Sequence, residues 1–283
     1  MITNAFEYYR PKSVAEALSI LSEHDGDARV VAGGHSLIPM MKLRMAQIAH
    51  LVDLQDVGGL KGITVGDRVR IGAMTTQAEL LASNDLAVAA PILLEAALQI
   101  ADPQVRNMGT IGGNVANGDP GNDMPGLMQC LDATYTLTGP KGSREVKARD
   151  FYQSAYFTER ADDEILVALS FDRPTGGYAY EKQKRKIGDY ATAAAGVQIT
   201  AMAGKVSAAS VAMTNLSDVP VWSAGAGAAL IGSTCGPDAV KAAVTAMLAD
   251  INPGDDNRGP VAFKRHVAAV VLGRAIARAW SRV

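Results

Sequence analysis

Apolar residues recur along the chain in two rhythms. Between Ser13 and His24 they fall three and four apart, with Val14, Ala17, Leu18 and Leu21 on one face. Ser13 followed by Glu16 makes a capping box, so the spacing predicts an amphipathic helix over 13–24. A strand over 28–31 then runs into Gly33-Gly34-His35-Ser36, and 50–54 reads as a second strand, giving a βαβ-like unit. The alternation over 63–65 and 68–71 around Gly66-Asp67 predicts a hairpin. Thr76 with Glu79 starts a short helix ending near Ser83, and apolar periodicity over 87–100 predicts another, closed by Asp102-Pro103. A stretch rich in glycine and small residues over 108–117 precedes a helix over 123–131.

The second half repeats the strand rhythm. Runs over 135–137 and 144–147 flank a Gly-Pro-Lys-Gly turn, and 164–171 reads as a strand. Arg173-Pro174-Thr175-Gly176-Gly177 is a linker signal. Three strand-like runs follow (178–182, 192–202 and 206–213), then helices that open at Pro237 and Pro260. Strands followed by helices make the C-terminal third α+β, and the whole chain is assigned to that class. The division expected is a domain over 1–176, with subdomains about 1–55 and 56–176, and a second domain over 177–283.

Composition narrows the partners. The chain has 283 residues, 48% hydrophobic and 20% charged, and 27 Lys plus Arg against 29 Asp plus Glu leave a net charge of −2. That balance argues against nucleic acid, which calls for a basic excess. No apolar run is long enough to span a bilayer, and the first ten residues do not read as an export signal. Cys130 and Cys235 are too few for an iron–sulfur cluster or a structural zinc, and the four histidines lack ligand spacing, so no metal site is expected. The expected compartment is the reducing cytoplasm. Aromatics are only 5% while glycines number 28, so the backbone's tight turns carry the chemistry to look for.

Two segments share a design: Val31-Ala32-Gly33-Gly34-His35-Ser36 and Thr110-Ile111-Gly112-Gly113-Asn114. Paired glycines permit positive φ and let a ligand approach their N–H groups, and successive N–H groups make a nest for phosphate oxygens. Two nests suit the diphosphate of FAD or NAD, and a Cβ branch at Gly113 is expected to fill one of them. A glycine pair at a strand end is also an ordinary tight turn, and neither segment fits the Rossmann or P-loop spacing. Asp123 suits either a ligand hydroxyl or the cap of the helix it begins. The basic run Lys182, Lys184, Arg185, Lys186 is either a solvated strand face or a contact with ligand or partner. The arginines at 274, 278 and 282 are either solvent-facing or an assembly contact.

The strings AGGHSLIPMMKLR (32–44), IGAMTT (71–76), ADPQVRNMGTIGGNVANGDPGNDMP (101–125) and KRKIGDYATAAAGV (184–197) resemble the FAD-binding medium subunits of the molybdenum hydroxylase family. Within it they are most similar to the carbon monoxide dehydrogenase branch. The resemblance covers the whole chain. It implies a two-subdomain FAD-binding domain of the PCMH type followed by a C-terminal α+β domain with a three-stranded sheet and helices. It implies noncovalent FAD, with the diphosphate held by Ala32, Gly33, Gly34, His35 and Ser36 and by Thr110, Ile111, Gly112, Gly113 and Asn114, and with Leu37 and Ile38 also at the cofactor. It further implies Asp123 near the ribose or ribityl hydroxyls, Leu166 at the adenine end, Lys182 close to the flavin and Tyr190 beside the isoalloxazine. No catalytic side chain is expected here. The implied partners are a large molybdopterin subunit and a small iron–sulfur subunit in a dimer of heterotrimers, with a quinone-type acceptor at the inner face of the cytoplasmic membrane. Three readings stand: an electron-transfer subunit for CO oxidation, the same for an aldehyde or N-heterocycle, or a flavin-free assembly subunit.

Overall fold

The computed structural model, which describes residues 2–283, begins with a small parallel sheet. Strands β1 (Glu7–Tyr9), β2 (Ala28–Val31) and β3 (His50–Asp53) lie in the order β1-β3-β2. Helix α1 (Val14–Glu23) starts where Ser13 Oγ accepts the Glu16 N–H, and buries Ala17 and Leu21 against the sheet. Helix α2 (Leu37–Lys42) follows the first glycine pair. His24 and His50, far apart in sequence, stack with ring centroids 3.6 Å apart, and Tyr9 Oη lies 3.1 Å from each. The three rings form one cluster that ties β1, β3 and the end of α1 together.

A second sheet is wholly antiparallel. It contains β4 (Ile63–Val65), β5 (Arg68–Gly72), β6 (Thr134–Gly139) and β7 (Gly142–Lys147); after a separate hairpin of β8 (Tyr152–Ser154) and β9 (Phe157–Thr158), it is completed by β10 (Ile165–Asp172). The order is β4-β5-β10-β6-β7. Helices α3 (Gln77–Ala82), α4 (Asn84–Ala89), α5 (Pro91–Ala97), α6 (Pro103–Met108), α7 (Ile111–Ala116) and α8 (Asp123–Cys130) fall between β5 and β6 in the chain.

Two of these helices depart from the pattern read in sequence. The single helix expected over 87–100 breaks at Ala90, because Pro91 lacks an N–H and excludes the helical conformation from the residue before it. Ala90 sits at φ −147°, ψ 64°, and α5 starts with Pro91 in its first turn. The second glycine pair is a helical turn and not a bend. Thr110 caps α7, its Oγ1 accepting the Gly113 N–H, and Gly112 and Gly113 lie inside the helix.

The third sheet is a meander of β11 (Gly177–Gln183), β12 (Ala193–Met202) and β13 (Lys205–Thr214), with a two-residue edge strand, β14 (Val221–Trp222), added to the three expected. Helices α9 (Ala224–Leu230), α10 (Pro237–Asp250) and α11 (Val261–Trp280) share a core with it. Helix α8 packs against β12 and β13 as well, and all eight of its residues are buried. Buried on two sides, β12 reads as a continuous small apolar run from Ala193 to Val197. Gly126 makes the approach of α8 possible: a Cβ there would stand 2.2 Å from Thr214 Oγ1.

Of the three arginines, Arg278 on α11 and Arg282 just after it form an internal clasp, whereas Arg274 is exposed. Arg278 Nη2 donates to Glu95 Oε2 and to the Tyr180 carbonyl, each at 2.7 Å, and Arg282 Nη1 donates to Glu95 Oε1. Glu95 Oε2 also accepts the Tyr180 N–H at 2.9 Å. One carboxylate thereby joins α5, β11 and α11.

Candidate cofactor site

A cavity of about 820 Å³ opens between the parallel sheet and the second body, a size suited to a large ligand. Its first wall is the turn from β2 into α2. The N–H groups of Gly33, Gly34, His35, Ser36 and Leu37 have no acceptor among the described residues, and Ser36 makes no cap to α2. Gly34 has φ +74°, a conformation glycine adopts without strain, and a Cβ there would press on Ile38 Cγ1 at 3.1 Å. Successive free donors of this kind are the arrangement an anion cradle requires.

The second glycine pair works differently. The N–H of Ile111 goes to the Thr75 carbonyl, that of Gly112 to Ala73, that of Gly113 to Thr110 Oγ1 and that of Asn114 to the Thr110 carbonyl. No first-turn donor of α7 is left over for a phosphate in this arrangement. The glycines serve close packing instead: a Cβ on Gly112 would lie 2.5 Å from the Ala73 carbonyl oxygen, and one on Gly113 would meet Thr110 Oγ1 at 2.9 Å and Ala32 at 3.5 Å. Thr110 Oγ1, having accepted the Gly113 N–H, retains its own proton to donate into the cavity it lines. Gly33 completes the junction, since a Cβ there would lie 2.1 Å from the Met108 carbonyl oxygen. Bare main chain thus lets the two segments touch.

At the floor, Asp123 begins α8 but does not cap it. Asn122 holds the cap position, and the Asp123 carboxylate faces a buried network. Tyr180 Oη donates to Oδ1 at 2.5 Å, and Lys182 Nζ donates to Oδ2 at 2.7 Å and to the Gln99 carbonyl at 3.3 Å. Burial pushes the Asp123 carboxyl up, while the Lys182 ammonium and the Tyr180 hydroxyl pull it down. Each carboxylate oxygen keeps a lone pair for a ligand hydroxyl. Lys182, with 1% of its side chain exposed, therefore belongs to the interior and not to a solvated strand face.

Of the residues expected at a cofactor, Ala32 to Leu37, Thr110, Gly112 to Asn114, Asp123, Leu166, Lys182 and Tyr190 line this one cavity. Ile38 lies under Gly34 in a small apolar cluster, and Ile111 is fully buried in the central core. Tyr190 stands at the β11–β12 turn, 41% exposed, its ring packed on Gly121. Partial burial of the ring, and after it Asp119, raise its phenol above the ordinary value.

Several wall residues carried no sequence signal. The β8–β9 hairpin contributes Tyr156, Phe157 and Thr158, and Arg29 and Arg160 stand along the wall, Arg160 held by the carbonyls of Ala161 and Glu164. Gln77 and Asn117 also line it; the Gln77 amide and Asn117 Nδ2 are buried without a hydrogen-bond partner among the described residues. Only the fold brings these scattered positions together. Free N–H groups for a diphosphate, a carboxylate for a polyol, and unpaired amide atoms along an elongated wall all fit FAD.

Residues 4–173 match the family described as the FAD binding domain in molybdopterin dehydrogenase, and 178–279 match the CO dehydrogenase flavoprotein C-terminal domain. The carbon monoxide dehydrogenase medium chain of Afipia carboxidovorans is 54% identical over 285 residues, covering 100% of this chain and 99% of that one. The glyceraldehyde dehydrogenase medium chain of Sulfolobus acidocaldarius is 34% identical over 95% of this chain and 96% of that one. The solved structure of reconstituted CO dehydrogenase from Oligotropha carboxidovorans contains a chain that superposes with a TM-score of 0.98 at 53% identity, each chain covered in full. With the glycine junction and the cradle of free donors in place, these likenesses settle the lineage: the chain belongs to the FAD-binding subunits of the molybdopterin dehydrogenase family.

Proposed function

We propose that this chain is the electron-transfer subunit of a carbon monoxide dehydrogenase, receiving electrons from iron–sulfur clusters on a small partner and passing them to a quinone-type acceptor. In this reading CO is oxidised on a large molybdopterin subunit, and the assembly is a dimer of heterotrimers. It works in the cytoplasm, at the inner face of the membrane. The observation that carries the reading is the unbroken likeness, 54% identity from end to end, to a carbon monoxide dehydrogenase medium chain.

FAD supplies the ability to take electrons singly and release them as a pair. The chain's own part is binding and orientation. The five free N–H groups from Gly33 to Leu37 hold the diphosphate, Thr110 adds a hydroxyl donor, and Asp123 accepts from the polyol. Lys182 and Tyr180 keep the Asp123 carboxylate fixed. Tyr190 and the β8–β9 hairpin narrow the mouth against water and oxygen.

Reconstitution with the large and small partners, followed by CO-dependent reduction of a dye, tests the reading. CO turnover that requires all three chains, and none by this chain alone, is the expected result. Turnover of an aldehyde or N-heterocycle but not CO would move the subunit to another branch. A purified complex with no flavin absorbance would overturn the cofactor role.

A further inference from the structure

Among the described residues, none beyond Tyr190 lines the cavity, yet the turn between α10 and α11 lies beside its mouth. The turn between α10 and α11 folds back onto the β11–β12 loop. There the Arg258 guanidinium lies 5.4 Å from the centroid of the Tyr190 ring, within cation–π range. Arg258 Nη2 also stands 3.6 Å from Asp189 Oδ1, the oxygen that accepts the Tyr190 N–H at 2.9 Å. From the other side Arg185 Nε donates to Asp189 Oδ2 at 3.0 Å, and Arg185 Nη1 donates to the Asn257 carbonyl at 3.0 Å. Both guanidiniums therefore bind the loop that carries Tyr190 to the turn over 254–259.

The turn is built to stay put. Lys264 of α11, only 4% exposed, donates to the Gly254 carbonyl and to Asp256 Oδ2, both at 2.8 Å. Asp256 Oδ1 in turn accepts the Arg258 N–H at 2.8 Å. Buried charge of this kind is retained only where it is paired. The ladder runs without a gap from α11 through Lys264, Asp256 and Arg258 to Asp189 and Tyr190.

We propose that Arg258 is a positioning residue, which holds Tyr190 in place at the cavity mouth and so links the C-terminal domain to the exposure of the bound flavin. This rests on the reading that Tyr190 borders the isoalloxazine. A lysine would keep the charge toward Asp189 but lose the flat guanidinium over the ring.

The test uses the FAD-loaded complex with the partner subunits, photochemically reduced, with two readouts: the rate of reoxidation by oxygen and the visible circular dichroism of the flavin. Tyr190→Ala sets the reference by changing both. Arg258→Ala is expected to raise reoxidation about two- to fivefold, the population change that a lost contact of about 0.5–1 kcal/mol allows. It should add nothing in the Tyr190→Ala background. Arg258→Lys, which preserves the fold and flavin stoichiometry, should move both signals the same way by less. If Tyr190→Ala changes neither readout, the reading of Tyr190 fails. If Tyr190→Ala changes them and neither Arg258 variant does, the positioning role is overturned.

Discussion

Lys182 and Asp123 form an ion pair 2.7 Å long with 1% and 6% of their side chains exposed, at the floor of the large cavity. Both groups are almost wholly buried, so removing one strands the other. Lys182→Met is expected to cost about 3–5 kcal/mol of folding stability. The double variant with Asp123→Asn should recover a good part of that loss, because the pair is then neutral on both sides. Urea unfolding of the three proteins measures the coupling.

The glycine junction gives a ranked outcome. Gly33→Ala drives a methyl group to 2.1 Å from the Met108 carbonyl oxygen, a backbone atom with nowhere to move. Gly113→Ala meets Thr110 Oγ1 at 2.9 Å, where a side chain can rotate. Overpacking of the first kind costs about 1–3 kcal/mol or more. The flavin-to-protein absorbance ratio should fall sharply for Gly33→Ala and less for Gly113→Ala. A larger branch at Gly113 acts by parting the two segments at Thr110 and Ala32, and not by entering the cradle.

Acid should loosen the wall near Arg144. The Arg144 guanidinium, donating to both oxygens of Glu164, holds its carboxyl below the ordinary value of 4.5, with smaller help from the Ala161 N–H. Because the folded value is the lower one, the stabilisation is whole above the ordinary glutamate range and disappears as pH falls through the folded value. Arg144 is 42% exposed, so the contribution is about 1 kcal/mol at most. Unfolding curves between neutral pH and pH 3 should show a shallower acid limb for Glu164→Gln.

Glu95 is expected to matter more for the union of the bodies than for the cavity itself. Its carboxylate accepts from Arg278, Arg282 and the Tyr180 N–H. Glu95→Ala should lose about 1.5–3 kcal/mol, the range for a hydrogen bond to a charged group. Glu95→Gln keeps an acceptor for the N–H and should lose less. Thermal unfolding of the two variants distinguishes them.

Much of this was legible in the residues. The strands, the Ser13 and Thr76 caps and the helices opening at Pro237 and after Pro260 rest on local signals, and the structure has them. The first glycine pair is legible as a sharp turn, since Gly34 takes φ +74° and the N–H groups from Gly33 to Leu37 stay free. The second pair hid a helix, since glycine is a poor helix former and only the Ala73 and Thr75 carbonyls across the cleft supply acceptors for Gly112 and Ile111. Strand alternation leaves Lys182 open between a solvated face and a contact, because it says nothing about an acid 59 residues earlier. His24 and His50, and the cavity walls at Arg160 and Tyr156, depend on partners that meet only in the folded chain.

The uneven state of the two glycine segments has a consequence in time. Protons on the main chain at 111–114 are already engaged, whereas those at 33–37 face open space. In heavy water the empty chain should therefore take up deuterium early at the first segment and late at the second, and loading with FAD should slow only the first. The stretch from Gly33 to Leu37 would then act as the molecule's gauge of its own occupancy, able to register a filled cleft before any electron moves.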